Sequence, residues 1–379
     1  MKKYLIILLL CITTMMNCFA QEYFRRPEEF DLNVPIFTAF AEGYAINDTK
    51  LIKRIISSYQ LAKKEHLGNS MWQGFFDQQR EIHNTFLSGD FNKCANILRN
   101  PEKNELFYGF ELMSKEGLAY VRTYNSVYFG LRNLDFLVRF GESISAIRLD
   151  NPEAYGSAPR KWIANEVLSC IENKLGKEIL FPNPFKDEIG IFTPKGIASE
   201  RSIWAIYQAY LIAHHVKGIE NPKVLEIGAG LGRNAYYARI FGIKDYTIID
   251  IPISNMAQAY FLGKVLGENE VALLGEKSST NQIKILTPDQ FLNEKDQHYD
   301  LIINVDSLTE LDEKNMQAYV KKIALSTPKF ISINHETNKF TVGDFADNLL
   351  NLSSKERNIH WMRKGYTEEI YNFNQPLLH

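Results

Sequence analysis

The segment VLEIGAGLGR, Val224 to Arg233, decides the fold. It starts as a short apolar run, passes glycines at 228, 230 and 232, and continues into a stretch with helical spacing. A strand that turns on glycines into a helix is the opening of a βαβ unit. Glycines there let the backbone approach a ligand closely, and the helix N-terminus lies beside it. The spacing differs from a dinucleotide fingerprint, which wants its third glycine one position later, where Arg233 stands. Glu226, just before the glycines, would repel phosphates and suits a cationic amino group. Asp250 closes the next strand, where an acidic residue can accept hydrogen bonds from both ribose hydroxyls.

Downstream the texture stays alternating. Strands are expected at 246–251, 270–274, 299–305 and 329–334, with helices at 233–241, 256–266 and 315–325. Tyr299 to Val305 is a near-continuous apolar run, as suits a strand covered on both faces. The pattern implies a doubly wound, mostly parallel, Rossmann-like sheet. The tail from Ile359 to Phe373, with Trp361, Tyr366 and Tyr371, reads as a terminal hairpin.

Upstream the pattern is helical. Asn47 or Asp48 can cap a helix carrying Leu51, Ile52, Ile55, Ile56 and Tyr59. Trp72, Phe75, Phe76, Ile82 and Phe86 make a second face, Asp90 caps a third helix, and a fourth runs over 118–140. These aromatic stripes read as core packing. The stretch FPNPFKDEIGIFTPKG, Phe181 to Gly196, is rich in Pro and Gly and reads as a loop. Ser199 then caps a helix to about Val216. This gives a helical N-terminal domain over 21–195 and an α/β domain over 196–379.

Met1 to Ala20 stands apart. Lys2 and Lys3 precede a 13-residue uncharged run, Tyr4 to Met16, short for a bilayer span and suited to a secretory signal cleaved after Ala20. Export is therefore expected, with lipidation at Cys18 or a cytoplasmic start at Met15 or Met16 as alternatives. Beyond it only Cys94 and Cys170 remain, and bridging or two isolated thiols are equally compatible. The net charge of −2, with no basic stripe, gives no reason to expect nucleic acid.

The chain resembles the class I S-adenosylmethionine (SAM)-dependent methyltransferases, and more narrowly the bacterial sugar O-methyltransferase family. The resemblance spans about Leu149 to Glu336. It rests on LDNPEAYG (Leu149 to Gly156), GIFTPKG, AIYQAY (Ala205 to Tyr210), VLEIGAGLGRNAYYA, YTIIDIP, AQAYFLG (Ala257 to Gly263) and INVDSLTEL (Ile303 to Leu311). It implies SAM as cofactor, held by Glu226, Gly228, Ala229, Gly230, Gly232, Asp250, Ile251 and Asn304. The implied reaction is methyl transfer to a hydroxyl of a sugar or glycan precursor, in which the protein mainly aligns donor and acceptor.

A hydroxyl is a poor nucleophile, so a base is sought past the carboxyl ends of the strands. Asp306 and Glu310 follow one strand and His335 follows the next. A metal held by Asp306, Glu310, His335 and Glu336 is conceivable, but no tight ligand spacing supports one. Adjacent His214 and His215 suit a helix end. Arg201 and Lys195, beside the Pro/Gly-rich segment, suit a solvated surface. Two rivals remain: an exported, inactive module that keeps the fold, and an NAD(P)-dependent oxidoreductase, disfavoured by Glu226 and Arg233.

Overall fold

The computed structural model describes residues 38–62, 74, 76–77, 79–104, 126–149, 161–294 and 297–374. The expected signal over 1–20, Trp72, Phe75, the start of the fourth helix and most of LDNPEAYG lie outside these residues. Cys94 and Cys170 are both free thiols.

The N-terminal helices are α1 (Thr49–Leu61), α2 (Arg80–Ser88), α3 (Phe91–Arg99), α4 (Ser126–Ser143) and α5 (Ala164–Leu175). All five apolar residues read for α1 are buried. Asp90 caps α3 by accepting the Lys93 N–H at 3.1 Å. Asp48 is no side-chain cap: it takes hydrogen bonds from Arg99 (2.6 Å) and Tyr260 (2.8 Å), tying the start of α1 to α3 and to the helix over Pro252–Leu266. Leu51 sits on Gly263, where an added Cβ would come within 2.7 Å of it. One apolar core joins Leu51, Leu134, Val167 and Ile206 to Tyr246 and Ile303 of the sheet.

Three strands, β1 (Ala39–Glu42), β2 (Lys186–Thr193) and β3 (Gly196–Ala198), form a small antiparallel sheet. The loop expected over 181–196 is thereby corrected. Pro182 and Pro184 precede β2 and Pro194 lies in the turn after it, so no ladder N–H is lost within the strand. The boundary expected at residue 195 falls in the turn of this hairpin. Helix α6 (Glu200–His215) follows, capped by Ser199 as expected.

The main sheet contains β4 (Lys223–Ile227), β5 (Asp245–Ile249), β6 (Val271–Leu273), β7 (Ile283–Leu286), β8 (Leu301–Val305), β9 (Lys329–His335), β10 (Leu352–Ile359) and β11 (Tyr366–Phe373). Its order is β10-β11-β9-β8-β4-β5-β7-β6. Strands β9 to β6 in that order are parallel, and β11 runs antiparallel to both β9 and β10. Helices α7 (Arg233–Ile240), α8 (Pro252–Leu266), α9 (Pro288–Leu292), α10 (Glu313–Ser326) and α11 (Val342–Ala346) connect the strands. Alternation splits the strand residues between two cores. Val224 and Ile303 join the core shared with the N-terminal helices, while Leu225 and Ile302 pack with Met316 and Phe330 of the other. The sheet is therefore covered on both faces, as a doubly wound fold requires.

The chain leaves β4 toward β5 and later returns to place β8 on β4's other side. This reversal opens a crevice past the carboxyl ends of β4 and β8, where ligands of such sheets bind. The expected terminal hairpin is present, but its first strand escaped the sequence reading. LSSKERNI is polar and mostly exposed because β10 is a charged edge strand.

Candidate functional site

A cavity of about 380 Å³ occupies that crevice. Its wall includes Glu226, Gly228, Ala229, Gly230, Asp250 and Ile251 from one side, and Asp306, Glu310 and His335 from the other. Nine of the eleven residues expected in the site thus line one cavity. Gly232 and Asn304 are the exceptions. Gly232, at φ +86°, caps α7 and abuts Leu262 of α8. Asn304 is fully buried beneath the site, donating to the Ile227 carbonyl (2.9 Å) and accepting from Asn334 (2.9 Å). Both support the wall and do not form it.

The two glycines on the wall differ in what they need. Gly228 (φ +73°) has Ser307 against it: an added Cβ would come within 2.1 Å of the hydroxyl. Gly230 (φ +53°) has no atom within 4 Å of that position, so its bare backbone leaves open space. An alanine at Gly230 should cost about 1–2 kcal/mol of stability through the left-handed backbone. By filling the space it should also weaken a ligand seated on that wall roughly tenfold, about 1.4 kcal/mol. Calorimetry on a folded Gly230→Ala variant with wild-type affinity would remove Gly230 from the binding surface.

Asp250 is tied to its surroundings. Its Oδ2 accepts from the Ala229 N–H (3.0 Å) and from Gln258 (2.6 Å), and its Oδ1 accepts from the Ile251 N–H (2.8 Å). The Ser254 hydroxyl also donates to this carboxylate, so four donors meet its roughly four lone-pair sites and Asp250 first of all fixes the glycine turn. A ribose hydroxyl there would take the place of the rotatable Ser254 hydroxyl. Burial pushes its carboxyl up to about 6 against these donors.

Glu226 is 2% exposed, with Oε1 accepting from Asn234 (3.1 Å) and Oε2 from Tyr246 (2.8 Å). Burial, partly offset by these bonds, raises its carboxyl to about 7. A cation beside it would favour ionisation.

At the other end Asp306 adopts φ +62°, rare for a residue with a side chain. Its Oδ2 accepts from Arg363 (2.7 Å), and its Oδ1 has no hydrogen bond. Arg363 is 8% exposed, with its guanidinium 4.2 Å from the Trp204 ring and 3.5 Å from the Tyr366 ring. His360 holds the turn before it: its Nδ1 accepts the N–H groups of Met362 and Arg363, both at 3.2 Å. The sequence reading missed Arg363, Trp204 and the wall position of Tyr366. Arg363 and Tyr366 reach the crevice only because β11 lies beside β9, a pairing that local periodicity does not announce, and Trp204 reaches it from α6.

His335 contacts Thr337 through Nδ1, with the amide at 3.4 Å and the hydroxyl at 2.7 Å. The amide can only donate, so the neutral ring keeps its proton on Nε2. In that tautomer Nε2 is a donor, which disfavours it as the base. Arg201 lies on the cavity wall and not on a plain solvated surface. Lys195 does not line it and pairs with Glu172 (2.7 Å). His214 and His215 lie at the far end of α6. Among the described residues no cluster of three metal-ligating side chains occurs.

No family model matches the chain, and no curated protein matches it. Solved structures to which it is similar include the PH0226 protein from Pyrococcus horikoshii OT3, at 14% identity, covering 43% of this chain and 88% of that one with TM-score 0.33. Another is magnesium protoporphyrin IX methyltransferase from Synechocystis PCC 6803, solved with bound SAM, at 16% identity over 46% and 83% with TM-score 0.32. A third is the methyltransferase domain of bacterial CtHen1-CN, at 14% identity over 44% and 97% with TM-score 0.32.

Proposed function

We propose that the protein is a SAM-dependent O-methyltransferase acting on a hydroxyl of a sugar or glycan precursor. The observation that carries this reading is the single wall formed by Glu226, Gly230 and Asp250. It combines a buried carboxyl suited to a cation, an open glycine backbone and a ribose acceptor at the topological switch. When bound, SAM supplies a methyl group made transferable by the positive sulfur. Asp250 and Ile251 would hold the nucleoside end, and Glu226 would face the amino end. The chain's remaining task is to orient the acceptor and take its proton. Asp306 is assigned that task, since it lines the cavity at the end opposite Asp250 and Arg363 holds its carboxylate in place through Oδ2. Export directed by residues 1–20 belongs to the same proposal, and N-terminal sequencing of the native protein tests it.

Calorimetry on the full chain tests the activity at its base: SAM should bind and NAD should not. The reverse selectivity would make the protein an oxidoreductase, and binding without turnover on any acceptor would leave it a module without activity. A pH dependence follows from Glu226. Its folded value near 7 exceeds the ordinary 4.5, so the folded state retains a proton that the unfolded chain gives up. The ligand-free protein should therefore lose stability as pH rises from about 4.5 to 7. A cation rewards the ionised form, so SAM affinity should rise about tenfold between pH 6 and pH 8. A flat affinity across that range would remove Glu226 from the amino end.

A further inference from the structure

We infer that the acceptor is an anion, a sugar acid or sugar phosphate, whose charged group is held by Arg201. This rests on the methyltransferase reading only for the word acceptor; the anion site stands on its own geometry.

Three guanidiniums line the cavity: Arg201, Arg233 and Arg363. Two are neutralised within the protein, Arg233 by Glu188 (2.6 Å) and Arg363 by Asp306 (2.7 Å). Arg201 has no ion pair among the described residues. Its neighbour Glu200 is committed to Arg132 at 2.9 Å. Arg201 is partly buried, in the first turn of a 16-residue helix whose N-terminal end carries partial positive charge. A partly desolvated guanidinium without a carboxylate gains from an anion, and its planar fork fits carboxylate or phosphate through two bonds.

Its position selects the acceptor over the donor. Arg201 acts electrostatically on the Tyr366 phenol, which also feels Asp306 and Arg363. Tyr366 pairs with His335 at the end of β9, whereas Asp250 follows β5, on the opposite side of β4 and β8. Trp204, one helical turn from Arg201, adds aromatic surface on the same wall. The carboxylates facing this space are Glu200, Asp306 and Glu310. Glu200 and Asp306 are paired as described, and Glu310 has its own interaction.

The test is calorimetry on the full chain with two matched pairs, galacturonate against galactose and glucose 6-phosphate against glucose, each with and without SAM. The charged member of at least one pair should bind tenfold or more tighter than its neutral partner. The pair that shows the difference tells carboxylate from phosphate. Arg201→Gln should bring that preference within twofold while SAM affinity stays within twofold of wild type. Equal or undetectable binding of charged and neutral members in both pairs overturns the proposal. So does weakened SAM binding in Arg201→Gln, which would put the donor's carboxylate on Arg201. A wild-type chain that keeps the charge preference but never binds SAM overturns the methyltransferase reading and leaves the anion site standing.

Discussion

Arg233→Leu should destabilise the fold by about 3–5 kcal/mol, because it strands a buried charge. Glu188 on β2 is fully buried, Arg233 at the start of α7 is 5% exposed, and the two meet at 2.6 Å. The guanidinium also lies 5.7 Å from the Phe261 ring centre. Removing it leaves the Glu188 carboxylate in an apolar setting without its ion-pair partner. Chemical denaturation of the variant measures the loss. The double variant Glu188→Leu with Arg233→Leu should recover a large part of it, since the desolvated charge goes with its partner. A single variant within 1 kcal/mol of wild type would show that the pair does not hold β2 to the glycine turn.

Asp250→Ala should have the largest effect on the SAM site proposed above. Its removal takes the acceptor from the Ala229 and Ile251 N–H groups and from the Gln258 amide at once. Each buried donor left unmet costs about 1–3 kcal/mol, so the turn should lose its set geometry. SAM affinity should fall by about 1–3 kcal/mol through the lost ribose bond, with further loss from the slackened turn. Calorimetry beside a thermal melt separates the two effects. A folded Asp250→Ala variant with unchanged SAM affinity would mean that the nucleoside lies elsewhere.

Much of this was legible in the sequence, for identifiable reasons. The strands of 223–249 and 301–335 are buried on both faces, so their apolar runs and the glycine turn between β4 and α7 stand out. Asp250, Glu226 and Asp306 were found because each lies at or just past the carboxyl end of a strand that could be recognised. The small β1-β2-β3 sheet was hidden by prolines, which mark its ends and not its interior. Strand β7 was hidden by its four-residue length amid polar residues. Arg363 could not be placed, because what joins it to Asp306 is a sheet pairing between distant segments, and Trp204 could not because the fold alone shows which face of α6 meets the cavity. Arg201 was read as surface for the same reason: only the folded crevice shows which face of α6 it occupies.

The hairpin's place in the sheet bears on how the chain is made. β11 follows every other described strand in sequence, yet it occupies an interior position between β9 and β10. During synthesis, the half of the crevice that holds Gly230 and Asp250 can assemble well before residue 366 has left the ribosome. Over that interval the apolar edge of β9 has no partner, and open edges invite pairing with other chains. The same late insertion delivers Arg363 and Tyr366 to Asp306. The side of the crevice with Gly230 and Asp250 is thus complete before the side with Asp306, and chaperone protection would matter most in the gap between the two.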